Sequence, residues 1–479
     1  MINYNKESYF QWKLLSWENS YLNLFRLQRR LLKSVFVSDN IKALLFQKLI
    51  LNSNSARLLS IREVTQISLT KNIAGVDGKT SLTFTERFEL NENLKLNIHN
   101  WLPHAFRRIS LIRKNGSIAY FDVSTISDRV WQMLIKYSMD PSYEAIFSFR
   151  NYGFRFGRSI HDLQQDVLLS LSQEAYGYQK RVIKLTLINS LSFFDFDFIL
   201  RNILVPRGVK LGLFRLFKLG FKPFFSIDFV HIFGLNALIA NIILHGIEDL
   251  FPSFRFGHDI VLLLYGTLKA TMLAKPLDKE DLVLNRINTF LFMRGMELDM
   301  SCISFSSVHA GFDFLDWTFK LDKSFCSISY PAYDNYQVFL KRVKLIVNNS
   351  NYGANIKVAK LLPIVKDWKE YHKYCDIKNA PFSLFFMKKR AFKVFSNEAK
   401  QDAYSTKRLL DKCFNAYSSD LVNSPFIKAS PYYGHNVFWI NYKYNFINKI
   451  DCAYLFHKKD YLCIHCGVSL VELTNFFLQ

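Results

Sequence analysis

Over residues 22–61 apolar side chains recur at three- and four-residue intervals: Leu24, Leu27 and Leu31, then Leu44, Leu45, Ile50 and Leu51. That spacing lays one apolar stripe along a helix, so the segment is predicted helical. Helices are also predicted over 128–139, 160–171, 237–250 and 283–293, with Asp140-Pro141 ending the first. Ile109-Ser110-Leu111-Ile112, an Asn115-Gly116 pair and the run from Tyr120 to Val123 predict a hairpin. Phe312-Asp313-Phe314-Leu315-Asp316-Trp317 predicts a half-buried strand, and Ala74-Gly75-Val76-Asp77-Gly78 a turn-rich loop. From about Val338 onward the pattern is helical and rich in lysine. There is no internal repeat, low-complexity tract or flexible linker. Helices alternating with short hairpins predict a mixed α/β domain followed by an all-α domain.

At 479 residues the chain is too long for one ordinary core and suits two or three domains. Half the residues are hydrophobic and 21% are charged, which argues against a disordered chain. The 46 Phe and 24 Tyr, with much Leu, Ile, Asn and Lys, are what AT-rich coding DNA gives, which points to an organellar genome. Charge changes the picture most. With 62 Lys and Arg against 40 Asp and Glu the net charge is +22, and such a surplus attracts nucleic acid. Seven Cys at irregular spacing make no disulfide framework and suit a reducing compartment. The longest apolar runs, Ile239 to Leu244 and Ile260 to Tyr265, are too short to span a bilayer, so no membrane partner is expected. Met1 to Phe10 carries Glu7 and no Arg, unlike a signal or transit peptide, so a protein working in an organelle is expected to be made there.

Several stretches occur in a telling order. They are Leu27-Gln28-Arg29-Arg30-Leu31; Gln47 to Thr65; Ala74 to Gly78; Arg107-Arg108 leading to Ser124-Thr125-Ile126-Ser127-Asp128-Arg129; and Asn151 to Asp162, which reads NYGFRFGRSIHD. Ala240-Asn241-Ile242, Leu244-His245-Gly246-Ile247-Glu248, Arg294 to Leu298, Gly311 to Trp317 and Leu362 to Tyr371 follow. Together they resemble the group II intron reverse transcriptase and maturase family over about residues 20 to 400. The resemblance implies an α/β plus all-α chain: a right-hand fingers-palm fold followed by a helical thumb and maturase domain X. Its divisions would be an N-terminal helical extension (1–70), degenerate fingers and palm (71–325), thumb and domain X (326–425) and a C-terminal tail (426–479).

The resemblance also implies where polymerase chemistry would sit. Nucleotide polymerisation uses two divalent ions held by carboxylates. The family supplies one Asp on the first palm strand and two in a YADD turn. Aligned on Phe198-Ile199-Leu200, the strand Arg181 to Ile188 puts Thr186 at the first position. The turn is read at Phe256-Gly257-His258-Asp259, leaving Asp259 alone, and the nucleotide-pocket motif falls on Asp228 to Phe233 without its Pro, Gln or Gly. Asp195 and Asp197 are read as surface or helix-start residues. No polymerase activity and no cofactor are expected, and no small-molecule substrate. The alternative is an active enzyme with relocated metal ligands. A general basic RNA chaperone is a third reading.

Structured intron RNA is the expected partner, with self-association or other splicing factors left open. Three cationic groups are expected to hold it: Arg29, Arg30 and Lys33; then Arg107, Arg108, Arg113, Lys114, Arg150, Arg155 and Arg158; then Lys357, Lys360, Lys366, Lys369, Lys373, Lys388, Lys389, Arg390 and Lys393. Arg155 and Arg158 have a structural alternative, holding the fingers loop through buried carboxylates. Tyr352, Tyr371 and Tyr374 are expected to stack on unpaired bases. In the tail, Cys463 and Cys466 have the spacing of half a zinc knuckle, which the resemblance places at the start of a nuclease domain. Plastid-encoded maturase-like proteins of euglenoid algae resemble the chain in the same erosion, which implies a plastid, with a mitochondrion as the alternative.

Overall fold

The computed structural model describes residues 2–68, 71–112, 118–148, 151–153, 155, 158–173, 176–188, 196–221, 234–247, 250, 261–263, 269–274, 280–322, 325–349, 351–376, 391, 408, 410, 411 and 414. Helices α1 (Ile2–Leu14), α2 (Trp17–Phe36), α3 (Asn40–Asn52), α4 (Asn54–Arg62) and α5 (Phe84–Asn97) come first. In α2 the side chains of Tyr21, Leu24, Phe25, Gln28, Leu31 and Leu32 are buried, the predicted stripe. Asp39 caps α3 by accepting from the Lys42 N–H, and Thr83 with Glu86 closes a capping box on α5.

The predicted hairpin forms from β1 (Arg107–Ile112) and β2 (Ile118–Val123), in register from Arg107↔Val123 to Ile112↔Ile118. Helix α6 runs from Ile126 to Glu144, through Asp140-Pro141 rather than ending there. The reason is a substitute donor. Pro141 lacks the N–H that would bond the Tyr137 carbonyl. The buried Gln28 side chain of α2 takes that carbonyl instead, Nε2 to O at 2.9 Å.

Next come α7 (Ile160–Ser170), β3 (Arg181–Ile188), α8 (Phe196–Asn202), α9 (Arg207–Lys218) and α10 (Leu235–Leu244). Helix α10 stops six residues before the predicted end at 250, because His245 turns extended and Gly246 takes a left-handed φ of 89°. Strands β4 (Val261–Leu263) and β5 (Lys269–Ala274), helix α11 (Glu280–Phe292) and strands β6 (Glu297–Leu298) and β7 (Ser304–Ser307) follow. They complete an antiparallel sheet of order β4-β5-β3-β6, with β7 also on β3. The single strand predicted over 312–317 is a hairpin. Leu315 adopts φ 55° and folds β8 (Phe312–Phe314) onto β9 (Trp317–Leu321), with Phe314 opposite Trp317. Strand β10 (Ser327–Pro331) pairs with β9, so this three-stranded sheet spans the 325/326 division. Helices α12 (Tyr333–Val347) and α13 (Ala354–Tyr371) close the described chain, with Pro363 inside α13.

The pleat of β3 explains how the layers join. Ile183, Leu185 and Leu187 enter a large core shared with α2 to α6 and α9 to α11. Val182, with Leu273 of β5, points to the opposite face and a second core of α7 and β8 to β10. A third core lies between α12 and α13. No described helix is long and apolar enough to cross a membrane.

Candidate nucleic-acid interface

The central strand sets the first constraint. Thr186 lies opposite Lys269, and its carbonyl accepts from the Asp299 N–H at 2.9 Å. Strands β4 and β5 pair with Leu263 opposite Thr271, and Lys269 at the start of β5 stands beside Thr186. Asp299 comes close through its backbone, but its carboxylate is engaged elsewhere. One oxygen accepts from the Ser301 hydroxyl at 2.5 Å and the Ser301 N–H at 3.1 Å, and these bonds hold the carboxyl below its usual range. Among the described residues no cluster of three or more His, Cys, Asp or Glu could hold a metal ion. His258, Asp259, Asp195 and the pocket segment 228–233 lie outside the described residues.

The cations form surfaces of different kinds. On α2, Arg30 and Lys33 are exposed and Arg29 half-buried, opposite the buried stripe. Arg26 is exposed one turn before Arg30 and belongs to the same face, a residue the motif-led reading passed over. On β1, Arg107 and Arg108 are exposed, and the Arg108 Nε holds Asp122 of β2 at 2.9 Å. On α13, Lys360 and Lys366 are exposed, and the Lys360 ammonium sits 3.6 Å from the Tyr352 ring centroid. Lys369 and Lys373 are half-buried, with Lys373 5.0 Å from the Tyr374 ring. Tyr371 is not free to stack on a base. It lies parallel to Trp317, centroids 5.0 Å apart.

Residues 12–94 match the N-terminal domain of reverse transcriptase. The chain is 41% identical over 467 residues to Maturase-like protein 1 of Euglena gracilis, covering 95% of this chain and 96% of the relative. It is 40% identical over 470 residues to Maturase-like protein 1 of Euglena longa, covering 95% and 97%. The chain belongs to this maturase-like family. The segment matched to reverse transcriptase runs from the end of α1 into α5 and includes the cationic face of α2.

In this maturase-like chain two expected RNA contacts have other work. Arg155 is buried. Its Nε and Nη2 bind the two Glu144 oxygens at 3.0 and 2.9 Å, and its Nη1 donates to the carbonyls of Ser148 and Asn151 at 2.6 and 2.7 Å. Burial pushes the Glu144 carboxyl up, against the pull of that guanidinium. Asn241 of α10 donates to the Gly153 carbonyl at 2.6 Å, so two of the quoted motifs lock each other. Arg158 is half-buried, its guanidinium 5.7 Å from the Tyr152 ring, and burial lowers its pKa. Lys357 is fully buried. Its ammonium donates to the Val347 carbonyl at 2.8 Å, satisfying an end carbonyl of α12 where the helix dipole is negative.

Other quoted motifs are also structural. A Cβ on Gly75 would come within 2.6 Å of the Thr125 Cα, so only glycine fits the GVDG loop against the start of α6. Arg129 donates to the Ile73 carbonyl at 2.6 Å. The buried Asp128 accepts from the Trp101 indole at 2.8 Å, the Thr125 hydroxyl at 2.7 Å and the His104 N–H at 3.0 Å. Arg113, Lys114, Arg150, Lys388, Lys389, Arg390, Lys393, Cys463 and Cys466 lie outside the described residues.

Proposed function

We propose that this chain is an RNA-binding maturase that assists splicing of group II and shortened group III introns in organellar, specifically plastid, transcripts, without reverse transcriptase activity of its own. Its partner is structured intron RNA, and that RNA supplies the chemistry. In this reading the described sheet is the palm, the β1–β2 hairpin belongs to the fingers, and α12 with α13 form the thumb and domain X.

The observation that carries the reading is the register of β3. Carboxylates serving two ions about 4 Å apart must converge. The turn read at residues 256–259 keeps one acid, Asp259, and the connection entering β5, residues 264–268, has none. A threonine hydroxyl in place of a carboxylate does not fit Mg²⁺, which wants hard, charged oxygen ligands in octahedral array. The cationic faces of α2, β1 and α13, and the net charge of +22, support retained RNA binding.

The test uses purified protein and a group II intron transcript. We expect tight binding at low salt, faster splicing at limiting Mg²⁺, and no cDNA in primer extension with Mg²⁺ or Mn²⁺. Templated cDNA would overturn the loss of polymerase activity. Failure to bind the transcript at low ionic strength would overturn the maturase reading.

A further inference from the structure

Three sequence segments contain no acid: 40–62, 93–121 and 198–227 hold fifteen Lys and Arg and not one Asp or Glu. The fold brings described parts of all three together. The Gln47 amide of α3 donates to the Leu204 carbonyl at 2.8 Å, just before α9 begins. Gly208 of α9 lies so close to His99 that a Cβ there would stand 2.3 Å from its carbonyl oxygen. About two turns further along α9, the Arg215 guanidinium donates to the Asn100 side chain at 2.8 Å and the Trp101 carbonyl at 3.0 Å.

Lys48, His99, Arg207 and Lys218 are exposed on these converging pieces, and Lys210 is half-buried. Burial, with the nearby Lys48 ammonium, holds the His99 imidazole below its usual range. The chain then runs from Trp101 past the exposed His104, anchored to the buried Asp128, to Arg107 and Arg108. Among the described carboxylates nearby, Asp39 is engaged with Lys42, Asp122 with Arg108, and Asp128 with its donors. A local surplus of cations repels itself and is relieved by a polyanion.

We propose that the α3–α9 ridge, Lys48, Arg207, Lys210 and Lys218, is a second RNA-backbone contact, continuous through residues 98–108 with the hairpin. None of these four belongs to the cationic groups of the motif-led reading. The inference rests on the maturase reading for its ligand, a folded RNA. Each phosphate neutralised releases a counterion, so affinity falls with salt by about 0.7–0.9 log units per log unit of salt for each contact.

The experiment measures affinity for a folded group II intron transcript across a salt series. Combined Lys48→Gln, Arg207→Gln, Lys210→Gln and Lys218→Gln is expected to weaken binding at least about tenfold and to lower the salt slope by about 3. The charge-preserving set, Lys48→Arg, Arg207→Lys, Lys210→Arg and Lys218→Arg, is expected to keep the wild-type slope. If the neutral set fails to fold, single Arg207→Gln and Lys218→Gln are each expected to lower the slope by about 1. Wild-type binding with an unchanged variant slope overturns the ridge and leaves the maturase reading standing. No binding by the wild type overturns both. Competition by polyglutamate as effective as by RNA would assign the ridge to an acidic polypeptide and overturn the proposal.

Discussion

Arg155 and Glu144 stand eleven residues apart, both nearly sealed from water, with side chains 4% and 5% exposed and bonded through two parallel contacts. The two charges are tolerable there only as a pair. Arg155→Met should therefore cost about 3–5 kcal/mol, because Glu144 is left buried without a partner. Arg155→Met with Glu144→Leu should cost much less, since the charge and its partner leave together. Urea denaturation of the three proteins decides this. A single variant of near wild-type stability would show that the arginine is not structural. Lys357 teaches the same lesson. In the sequence it is one lysine among many on a helix, with Lys360 three residues on. What hides it is the end of α12, ten residues earlier, folded back over it. Charge is visible in a sequence, but the partner that consumes it lies on another element. The exposed face of α2 was legible because its own buried stripe sets the outward side.

Helix α6 carries the next case. The dipeptide Asp140-Pro141 predicts a stop, and the helix continues because Gln28 answers the one carbonyl that proline strands. Gln28→Leu should then cost about 1–3 kcal/mol, the penalty of a buried carbonyl with no donor. Adding Pro141→Ala restores an N–H at that position and should recover much of the loss, while Pro141→Ala alone gains less. A double-mutant cycle followed by thermal unfolding reads the coupling directly, and strictly additive effects would refute it. The same locality explains the other elements. The β1–β2 hairpin was legible because alternation and an Asn-Gly pair both lie within its own residues. The break at Leu315 was not, since a leucine at positive φ gives no local signal and only the pairing of Phe314 with Trp317 requires it.

Long-range order converges on one buried network. The Trp317 indole of β9 has only a proton to give, so at 3.1 Å the Nδ1 of His372 must accept. The His372 ring is then neutral and its Nε2–H donates to Asn335 Oδ1 at 3.2 Å, which also accepts from the Trp368 indole at 3.1 Å. His161 of α7, its ring centroid 5.8 Å from that of Trp317, bonds the Tyr371 carbonyl at 3.0 Å. Three elements from distant parts of the chain, α7, the β8–β10 sheet and α12–α13, are thus joined through two uncharged imidazoles. Burial pushes His372 down to about 3 and His161 down to about 4. Unfolded, both would titrate near 6.5. Between those values the unfolded chain binds protons that the folded chain refuses, so stability is fully present above about pH 6.5 and falls as the pH drops towards 4. At pH 5 each histidine should account for a loss on the order of 2 kcal/mol relative to pH 8. Urea midpoints of the wild type, His161→Gln and His372→Gln, measured from pH 8 to pH 5, isolate this contribution from the other histidines. Each variant should be less stable at pH 8 and yet show a shallower decline towards pH 5. Parallel declines in all three would mean that the imidazoles take up protons without disturbing the junction, and that these modules are held together by packing alone.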